Sequence, residues 1–426
     1  MAYLRDAEAA LDPGLADLYR DLHSHPELSF REHRTAAIAA DRLLEQGFEV
    51  TAGVGGTGVV GVLRNGPGPT VLLRADMDAL PVAEDTGLAH ASTVRALDAE
   101  GAEVPVMHAC GHDMHVTWLL GATRLLAEGR DAWQGTVVAV FQPAEEIGAG
   151  AKAMIADGFL ERFPKPDVCL GQHVSPIPAG YIGLRPGVTM AAADSLHVVL
   201  HGRGGHGSMP QATVDPVVMA ASAVLRLQHI VAREVDPSAS AVVTVGSLHA
   251  GSKENVIPDR AELKVNVRTF TEGVRAHVLG AIERILKAEA EASGAPRPPE
   301  ISQLNSFPLT TNDATAASRV RGALAAVLGQ DRILELPPAS GSEDFGVFGS
   351  ATGAPSVFWF TGGVDPAETA RYLEAMSQGT LPPGAASNHS PHFAPCIESA
   401  ITVGVTAMHT AALAWLAGIG PGPRDG

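Results

Sequence analysis

Cysteine and aromatic residues are scarce in this chain of 426 residues, which has three cysteines and 5% aromatic side chains. An odd, sparse set of cysteines cannot build a disulfide framework, which excludes the small disulfide-stapled secreted proteins. Basic residues are also few, with 30 Lys and Arg against 47 Asp and Glu and a formal net charge of −17. This acidity argues against nucleic acid or an anionic membrane as a partner, although a single arginine can still bind a substrate carboxylate.

Long apolar runs are equally rare. The start of the sequence has no basic region followed by an apolar run, so we expect no secretory signal and a cytoplasmic protein. The one long run, residues 400–420, contains three threonines and His409 and lacks flanking lysine clusters. We therefore predict a buried C-terminal helix and no membrane span. Hydrophobic residues nevertheless make up 46% of the chain, which is enough for a sizeable core and two or three domains.

Short apolar, β-branched runs alternate with helical patterns over much of the chain. This alternation is typical of an α/β domain whose sheet is covered on both faces. The predicted strands are residues 71–74, 136–141, 168–172 and 356–360, and the predicted helices are residues 15–22, 32–46, 114–126 and 151–156.

A different order begins after residue 187. The pattern there is strand, helix, strand, strand, helix and strand, which is the ferredoxin-like arrangement. Because the first pattern resumes at about residue 309, we predict a discontinuous large domain, residues 1–187 and 306–426, with residues 188–305 inserted. The predicted elements of the insertion are residues 195–201, 216–231, 240–248, 261–268, 272–291 and 299–303.

The densest group of chemically active side chains is MHACGHDMH, residues 107–115. It places three histidines, Cys110 and an aspartate at the start of a predicted helix. Thiolate, imidazole and carboxylate groups are ligands of zinc and first-row divalent metals, and a helix N-terminus favours an anionic thiolate. The alternative is a polar loop with an incidental histidine cluster; we favour a metal site.

Ligand-type side chains also follow three predicted strands. Glu145 and Glu146 come directly after residues 136–141, and one of two such carboxylates can bind a metal while the other moves protons. His173 follows a second strand, and the segment RADMD, residues 74–78, ends a third. In open α/β sheets, ligands bind beyond the carboxyl ends of the strands, so these side chains should share one edge.

Three further segments carry candidate residues. NHSPHF, residues 388–393, precedes the C-terminal helix and contains His389. In the insertion, GRGGHGS presents His206 on a glycine-rich turn that lacks the Lys-Ser/Thr ending of a phosphate loop. Asn255 lies in a loop and Arg268 on a predicted strand, where an arginine could form a surface ion pair or bind a carboxylate with two hydrogen bonds.

Taken together, these segments resemble the di-metal amidohydrolase family of hippurate hydrolase, indoleacetyl-amino-acid (auxin conjugate) hydrolases, aminoacylases and carboxypeptidase G-type enzymes. The resemblance is strongest to the hippurate and auxin-conjugate branch and covers nearly the whole chain. The blocks that carry it are LHSHPELSFREHRT, RADMDALP, MHACGHDMH, FQPAEE, GQHV, GRGGHGSMP, NVIPD, GSEDF and NHSPHF.

The resemblance implies a zinc-peptidase-like α/β/α catalytic domain with an inserted ferredoxin-like dimerisation or lid domain. It implies that Glu145 is the general base and acid and that His206 donates to an oxyanion in the active site of the partner subunit of a homodimer. Asn255 and Arg268 would hold the substrate carboxylate. The implied ligands of two divalent metals, zinc, manganese, cobalt or nickel, are Cys110, His112, Glu146, His173 and His389.

The chain also departs from the wider family. Much of that family has His-x-Asp where this chain has Asp76-Met-Asp78, and we expect Asp78 to orient a metal ligand. Gln211 stands where the branch often has histidine, and residues 88–106 are longer than expected, which affects substrate preference and the pocket rim.

The resulting hypothesis is hydrolysis of an N-acyl amino acid with an aromatic or aliphatic acyl group to a carboxylic acid and a free amino acid. The alternatives are a dipeptidase or carboxypeptidase on the same fold, and a non-catalytic scaffold that kept the fold.

Overall fold

The computed structural model describes residues 14–417. Contacts between Cα atoms divide them into two compact units. The first contains residues 14–189, 311–337 and 344–417, and the second contains Met190–Thr310 and Pro338–Glu343. The sequence predicted boundaries at residues 187 and 306 and did not predict that Pro338–Glu343 joins the second unit. The extreme start, and residues 418–420 of the long apolar run, lie outside the described residues.

The regular elements are numbered in chain order. Residues 14–417 form α-helices α1 Gly14–His23, α2 His33–Glu45, α3 His112–Glu128, α4 Gly150–Ala156, α5 Phe159–Arg162, α6 Pro216–His229, α7 Glu272–Ala292, α8 Ala314–Leu328, α9 Gly346–Thr352, α10 Thr369–Ser377 and α11 Ile397–Leu416. The strands are β1 Glu49–Val54, β2 Gly58–Asn65, β3 Thr70–Asp76, β4 Arg95–Leu97, β5 Glu103–Pro105, β6 Gly135–Gln142, β7 Val168–Pro178, β8 Ile182–Gly183, β9 Gly187–Met190, β10 Ala192–His201, β11 Gly205–His206, β12 Ala241–Ala250, β13 Val256–Ile257, β14 Arg260–Thr269, β15 Glu300–Phe307, β16 Thr310–Asn312, β17 Ile333–Leu334 and β18 Ser356–Val364.

The first unit is built on an eight-stranded mixed sheet in the order β1-β2-β6-β3-β7-β18-β8-β17. Strands β6, β3, β7 and β18 run parallel to one another. On one side β2 pairs antiparallel with β6 and β1 with β2, and on the other side β8 pairs antiparallel with β18. The parallel strands are almost wholly buried, as expected for a sheet with helices on its faces. Their carboxyl ends therefore meet at one edge of the sheet.

Helix α11 belongs to the core of this unit. Trp118 on α3 is fully buried and donates a hydrogen bond from Nε1 to the carbonyl oxygen of Ala400 at 2.8 Å. A Cβ atom on Gly404 would lie 2.1 Å from the Trp118 ring, so only glycine permits this close packing. Helix α11 is the one helix among residues 14–417 that is long and apolar enough to cross a membrane, but 67% of its apolar window is buried. It packs as a core helix, as predicted.

The second unit contains a four-stranded antiparallel sheet in the order β12-β14-β10-β15. The chain order β10-α6-β12-β14-α7-β15 confirms the ferredoxin-like prediction. Asp215 and Thr271 cap the two helices by accepting hydrogen bonds from the backbone N–H groups of Val217 and Val274, each cap contributing about 1 kcal/mol.

A buried ion pair ties helix α7 to the sheet of the second unit. The Arg275 guanidinium donates to both oxygens of the buried Asp194 carboxylate at 2.8 and 2.9 Å. The side-chain amide of Gln303 donates to the same carboxylate at 3.0 Å. With these donors the Asp194 charge is compensated although it is removed from water.

Candidate metal centre

The ends of two strands, the middle of a third and the start of one helix meet at one edge of the large sheet. The sequence predicted that His173 follows the end of its strand, but β7 continues to Pro178 and His173 lies within it. Strand β3 ends at Asp76, β6 ends at Gln142 three residues before Glu145, and His173 lies on β7. Helix α3 begins at His112, after Gly111 in a left-handed conformation with φ +85°. A Cβ atom on Gly111 would lie 2.4 Å from a Val174 methyl, so glycine lets the helix start against β7.

The five predicted metal ligands lie together at this edge. The ligand atoms of Cys110, His112 and His173 are within 4.8 Å of one another, and so are those of Cys110, Glu146 and His389. Cys110 Sγ is 3.4 Å from His173 Nε2, and Glu146 Oε2 is 3.5 Å from His389 Nε2. Cys110 is thus common to two adjacent groups of three. This is a donor set of sulfur, nitrogen and oxygen that suits first-row divalent metals.

Two buried atoms at the centre of this cluster have no hydrogen-bond partner within the described part of the chain. They are His112 Nε2 and Glu146 Oε1, which lie 3.8 Å apart. His112 Nε2 also lies 3.5 Å from Asp76 Oδ2. A buried polar atom without a hydrogen bond costs about 1–3 kcal/mol, so a group that binds both atoms would stabilise this arrangement. A divalent cation fits both, because a neutral imidazole nitrogen and a carboxylate oxygen are metal ligands.

The electrostatics of the cluster also favour a cation. Burial, followed by the charges of Glu146 and Glu145, holds the pKa of the Cys110 thiol well above its ordinary value. Burial, followed by the nearby carboxylates Asp78 and Asp76 and only partly offset by His112, raises the pKa of Glu146 to about 8. Several groups that would carry negative charge are crowded into a largely buried site, and a bound cation would relieve that crowding.

The Asp78 carboxylate forms four hydrogen bonds next to the cluster. Its Oδ1 accepts from the Glu145 backbone N–H at 3.1 Å and lies 3.3 Å from His112 Nδ1. Its Oδ2 accepts from the Glu146 N–H at 3.0 Å and from the Ser29 hydroxyl at 2.7 Å. Burial lowers the pKa of His112, but Asp76, Asp78 and Glu146 outweigh it and raise the pKa to about 10. Asp78 thus contacts His112, whose ring it was predicted to orient.

A second carboxylate–histidine pair was not assigned a role from the sequence. Asp76 Oδ1 lies 2.5 Å from His115 Nδ1, and His115 Nε2 accepts from the Val174 backbone N–H at 2.8 Å. Asp76 is held in turn by Arg74, whose Nη1 donates to it at 2.8 Å and whose Nη2 donates to Asp344 at 3.2 Å. Through the Val174 N–H, this network ties α3 to the part of β7 that carries His173. The alternation of RADMD at a strand end was the signal that could have indicated it.

His389 is positioned by its own loop. Its φ is +70°, and its backbone N–H donates to the Ala109 carbonyl oxygen at 2.7 Å. The preceding Asn388 side chain donates to the carbonyl oxygens of Cys110 and Val174 at 3.0 and 3.2 Å. The loop before α11 is thereby fastened to the start of α3 and to β7. The His389 side chain remains 57% exposed and forms the open side of the cluster.

A buried histidine lies beside the first turn of α3. His23 has no exposed surface; its Nδ1 is 2.7 Å from an Asp113 oxygen and its Nε2 is 3.1 Å from a Glu84 oxygen. Burial lowers its pKa, but the two carboxylates outweigh burial and raise it to about 10. The LHSHPELS block thus supplies a charged contact that anchors α1 to the helix carrying His112.

The remaining predicted site residues lie in the second unit. The pairing of β11 with β13 places His206 opposite Val256, next to Asn255. His206 Nδ1 accepts from the Ser208 backbone N–H at 3.1 Å, so in the neutral ring Nε2 carries the proton and is an exposed donor. Arg268 lies on β14 and donates to the Ser340 carbonyl oxygen at 2.7 Å within the same unit.

Comparisons with known proteins agree with this geometry. The sequence model described as peptidase family M20/M25/M40 matches residues 72–413. Hippurate hydrolase of Campylobacter jejuni is 40% identical over 330 residues, which cover 77% of this chain and 82% of the relative. N-acetyl-L-cysteine deacetylase of Bacillus subtilis is 37% identical, with 80% and 78% covered. Thermostable carboxypeptidase 2 of Saccharolobus solfataricus is 36% identical, with 84% and 88% covered.

A solved structure shares the fold over almost its whole length. It is a Bacillus subtilis protein described as a dinuclear metal binding peptidase from the M20 family. The TM-score is 0.73 and the identity is 30%, with 96% of this chain and 99% of that chain covered.

Proposed function

The chain belongs to peptidase family M20/M25/M40, and from this premise we propose that its five clustered side chains bind the metals of an amidohydrolase. The protein is a metal-dependent amidohydrolase that acts on N-acyl amino acids and uses two divalent metal ions. The observation that carries the site assignment is that two buried atoms within the cluster, His112 Nε2 and Glu146 Oε1, have no hydrogen-bond partner in the described part of the chain.

The grouping of the donors suggests how two metals are held. One group is Cys110, His112 and His173, and the other is Cys110, Glu146 and His389. Since Cys110 belongs to both groups, its thiolate would be available to either metal. Asp78 orients His112 through its other ring nitrogen, a partnership that commonly fixes both the tautomer and the ring of a ligand histidine.

Glu145 is the proposed general base and acid. When bound, two divalent ions would lower the pKa of a water molecule from 15.7 to about 7 and polarise the scissile carbonyl. Glu145 is buried, and one of its oxygens lies within 4.8 Å of ligand atoms of His112 and Glu146. From there its carboxylate can accept the proton of the attacking water and deliver it to the leaving amine, which becomes the free amino acid.

The second unit supplies the proposed substrate contacts and the dimer interface. The exposed Nε2–H of His206 is suited to stabilise an oxyanion in the active site of the partner subunit. Asn255 and Arg268 would hold the amino-acid carboxylate. Strand β12 pairs only with β14 among the described strands, and Val218 and Leu225 on α6 are 65% and 68% exposed. An unpaired edge and an apolar helix face together support a twofold homodimer.

The domain roles and the location of the protein follow the same proposal. The first unit is the catalytic domain and the second is the dimerisation domain, which inserts into it in the chain. The composition, with three cysteines and no even set that could form a disulfide framework, supports a cytoplasmic enzyme.

Turnover of a substrate panel tests this function. The purified protein, loaded in turn with zinc, manganese, cobalt and nickel, is assayed on hippurate, acetyl-methionine and simple dipeptides. We expect the N-acyl amino acids to be hydrolysed faster than the dipeptides. Faster turnover of the dipeptides would favour the dipeptidase or carboxypeptidase alternative. The similarity to a carboxypeptidase at 36% identity is the reason to test that alternative. Failure to bind any divalent ion would favour a scaffold.

The variant Glu145→Gln tests the catalytic role separately. It should bind both metals but lose nearly all turnover, because an amide cannot accept the proton. Glu128→Gln, which changes a 60% exposed glutamate at the end of α3, is the matched control and should keep wild-type turnover. Near-normal turnover by Glu145→Gln would remove Glu145 from the mechanism.

A further inference from the structure

Backbone strain in this protein is concentrated beside the metal centre. Among residues 14–417, three residues other than glycine have positive φ: Phe30 at +60°, Ala144 at +49° and His389 at +70°. Side chains with a Cβ atom rarely adopt this region, and such residues persist only where their surroundings hold them. His389 is itself a proposed ligand, so Phe30 and Ala144 need a separate explanation.

One buried carboxylate contacts both of these residues. Glu32 Oε1 accepts hydrogen bonds from the backbone N–H groups of Phe30 at 2.9 Å and of Ala144 at 2.8 Å. Its other oxygen, Oε2, accepts from the Thr57 hydroxyl. Glu32 has no exposed surface. Ala144 is 112 residues away in the chain, so this contact exists only in the folded protein.

A structural role in its own helix does not account for the Glu32 side chain. Glu32 occupies the N-cap position of α2, where a side chain commonly bonds the free N–H groups of the first turn. It makes no such bond. Its carboxylate is turned away from α2 and towards the loop that joins β6 to α4.

Each strained residue is the direct neighbour of a group that donates to Asp78. Ser29, which precedes Phe30, donates its hydroxyl to Asp78, and Glu145, which follows Ala144, donates its backbone N–H. Two carboxylates therefore hold the same two segments: Glu32 binds the backbone of Phe30 and Ala144, and Asp78 binds the adjacent residues Ser29 and Glu145. The loop has little freedom to adjust on its other side, because a Cβ atom on Gly150 would lie 1.5 Å from the Pro143 carbonyl oxygen.

We propose that Glu32 is a positioning residue that holds Ala144 in the left-handed conformation and thereby aims Glu145 and Glu146 at the metal centre. This inference rests on the proposed function of Glu145 and Glu146. The Glu32 carboxylate binds the Phe30 and Ala144 backbone N–H groups and the Thr57 hydroxyl, none of which is a proposed ligand side chain, so it acts through the backbone of Ala144.

Rescue by glycine tests this role. Glu32→Ala should lower kcat by about 10- to 100-fold with little change in KM. The variant removes the acceptor of the Ala144 N–H, so nothing holds Ala144 at positive φ and Glu145 leaves its position. Ala144→Gly should restore most of that loss in the double variant, since glycine adopts positive φ without a Cβ penalty. Ala149→Gly in the same loop is the matched control, because the φ of Ala149 is an ordinary −116°, and it should restore nothing.

Conservative substitution provides a second readout. Glu32→Gln keeps the acceptor oxygen for Phe30 and Ala144 and can donate to the Thr57 hydroxyl, so it should stay within about threefold of wild-type kcat. If Glu32→Ala does not fold, Glu32→Asp, which withdraws the carboxylate by one methylene, takes its place in the same set of variants. A Glu32→Ala variant that loses only thermal stability and keeps kcat would overturn the inference, as would a double variant no better than Glu32→Ala.

Binding of Co²⁺ separates this inference from the proposed function. Cobalt absorption reports thiolate and carboxylate ligation without any turnover. If the wild-type protein binds Co²⁺ but hydrolyses no N-acyl amino acid, the proposed function fails. The positioning role is then decided by whether Ala144→Gly restores the Co²⁺ spectrum and affinity lost in Glu32→Ala, and absence of that recovery overturns it.

Discussion

Replacing Asp78 by asparagine changes one atom of the group that gathers four hydrogen bonds beneath the metal centre. An amide nitrogen on the Oδ1 side would face two donors, the Glu145 N–H and His112 Nδ1. On the Oδ2 side the Ser29 hydroxyl can turn to accept, and only the Glu146 N–H loses its acceptor. The second orientation therefore costs less, and it leaves one largely buried N–H unpaired at a cost of about 1–3 kcal/mol.

The loss of charge at Asp78 has a second consequence, for metal affinity. A carboxylate that accepts from the free nitrogen of a ligand histidine makes that histidine a stronger ligand, and its removal typically weakens metal binding by about 10- to 100-fold. This range corresponds to about 1.4–2.7 kcal/mol. We therefore expect Asp78→Asn to bind zinc or cobalt about 10- to 100-fold more weakly and to unfold at a lower Tm when free of metal.

Competition with a chelator of known affinity measures the first effect, and thermal unfolding in excess chelator measures the second. Ser29→Ala is the control, because it removes one hydroxyl donor from Asp78 and leaves its charge, so it should cost only about 0.5–1.5 kcal/mol. If Asp78→Asn keeps wild-type affinity for both metals, Asp78 does not orient His112.

Three further outcomes are expected. Gly111→Ala should lower both Tm and metal affinity, because its φ is +85° and the new Cβ would lie 2.4 Å from Val174; an unchanged Tm would contradict this. Arg275→Met should destabilise the second unit by about 3–5 kcal/mol in denaturant unfolding, because it leaves the Asp194 charge buried without its cation, and a loss under about 1 kcal/mol would refute it. The pKa of His23 is raised in the folded state from 6.5 to about 10, so its contribution to stability is complete below pH 6.5 and is lost as the pH rises through 10. Between these values Tm should fall more steeply for the wild type than for His23→Gln, and parallel profiles would count against the ion pairs.

The fold was predicted from the sequence where the local pattern is strong. The apolar runs of β3, β6 and β7 and the helical spacing of α3 are dense enough to predict their type, and the fold class is confirmed. The family, which was predicted from the motif blocks, is confirmed as well. Strands β1 and β2 were not predicted. Five glycines between Gly53 and Gly61 interrupt the β-branched pattern there, and pairing with β6 supplies the order that the local sequence lacks.

Candidate ligands were easier to find than the residues that hold them. Cys110 and His112 stand in a ligand-rich block that marks a site by composition alone. Asp76 and Glu32 do not, because their partners are His115, 39 residues away, and Ala144, 112 residues away. The positive φ of Ala144 cannot be predicted from the sequence either, because alanine, unlike glycine, does not indicate a left-handed backbone. Such roles arise from tertiary contacts, which a single sequence does not display.

The side chains grouped around Cys110 are widely scattered along the polypeptide, with the whole second unit lying between His173 and His389 in chain order. A nascent chain therefore possesses the group of Cys110, His112 and His173 long before the ribosome adds the last member of the other group. Under the proposed ligand assignment, the second group is complete only after synthesis has passed residue 389. Chains that end before residue 389 are therefore expected to lack one ligand of the second proposed group.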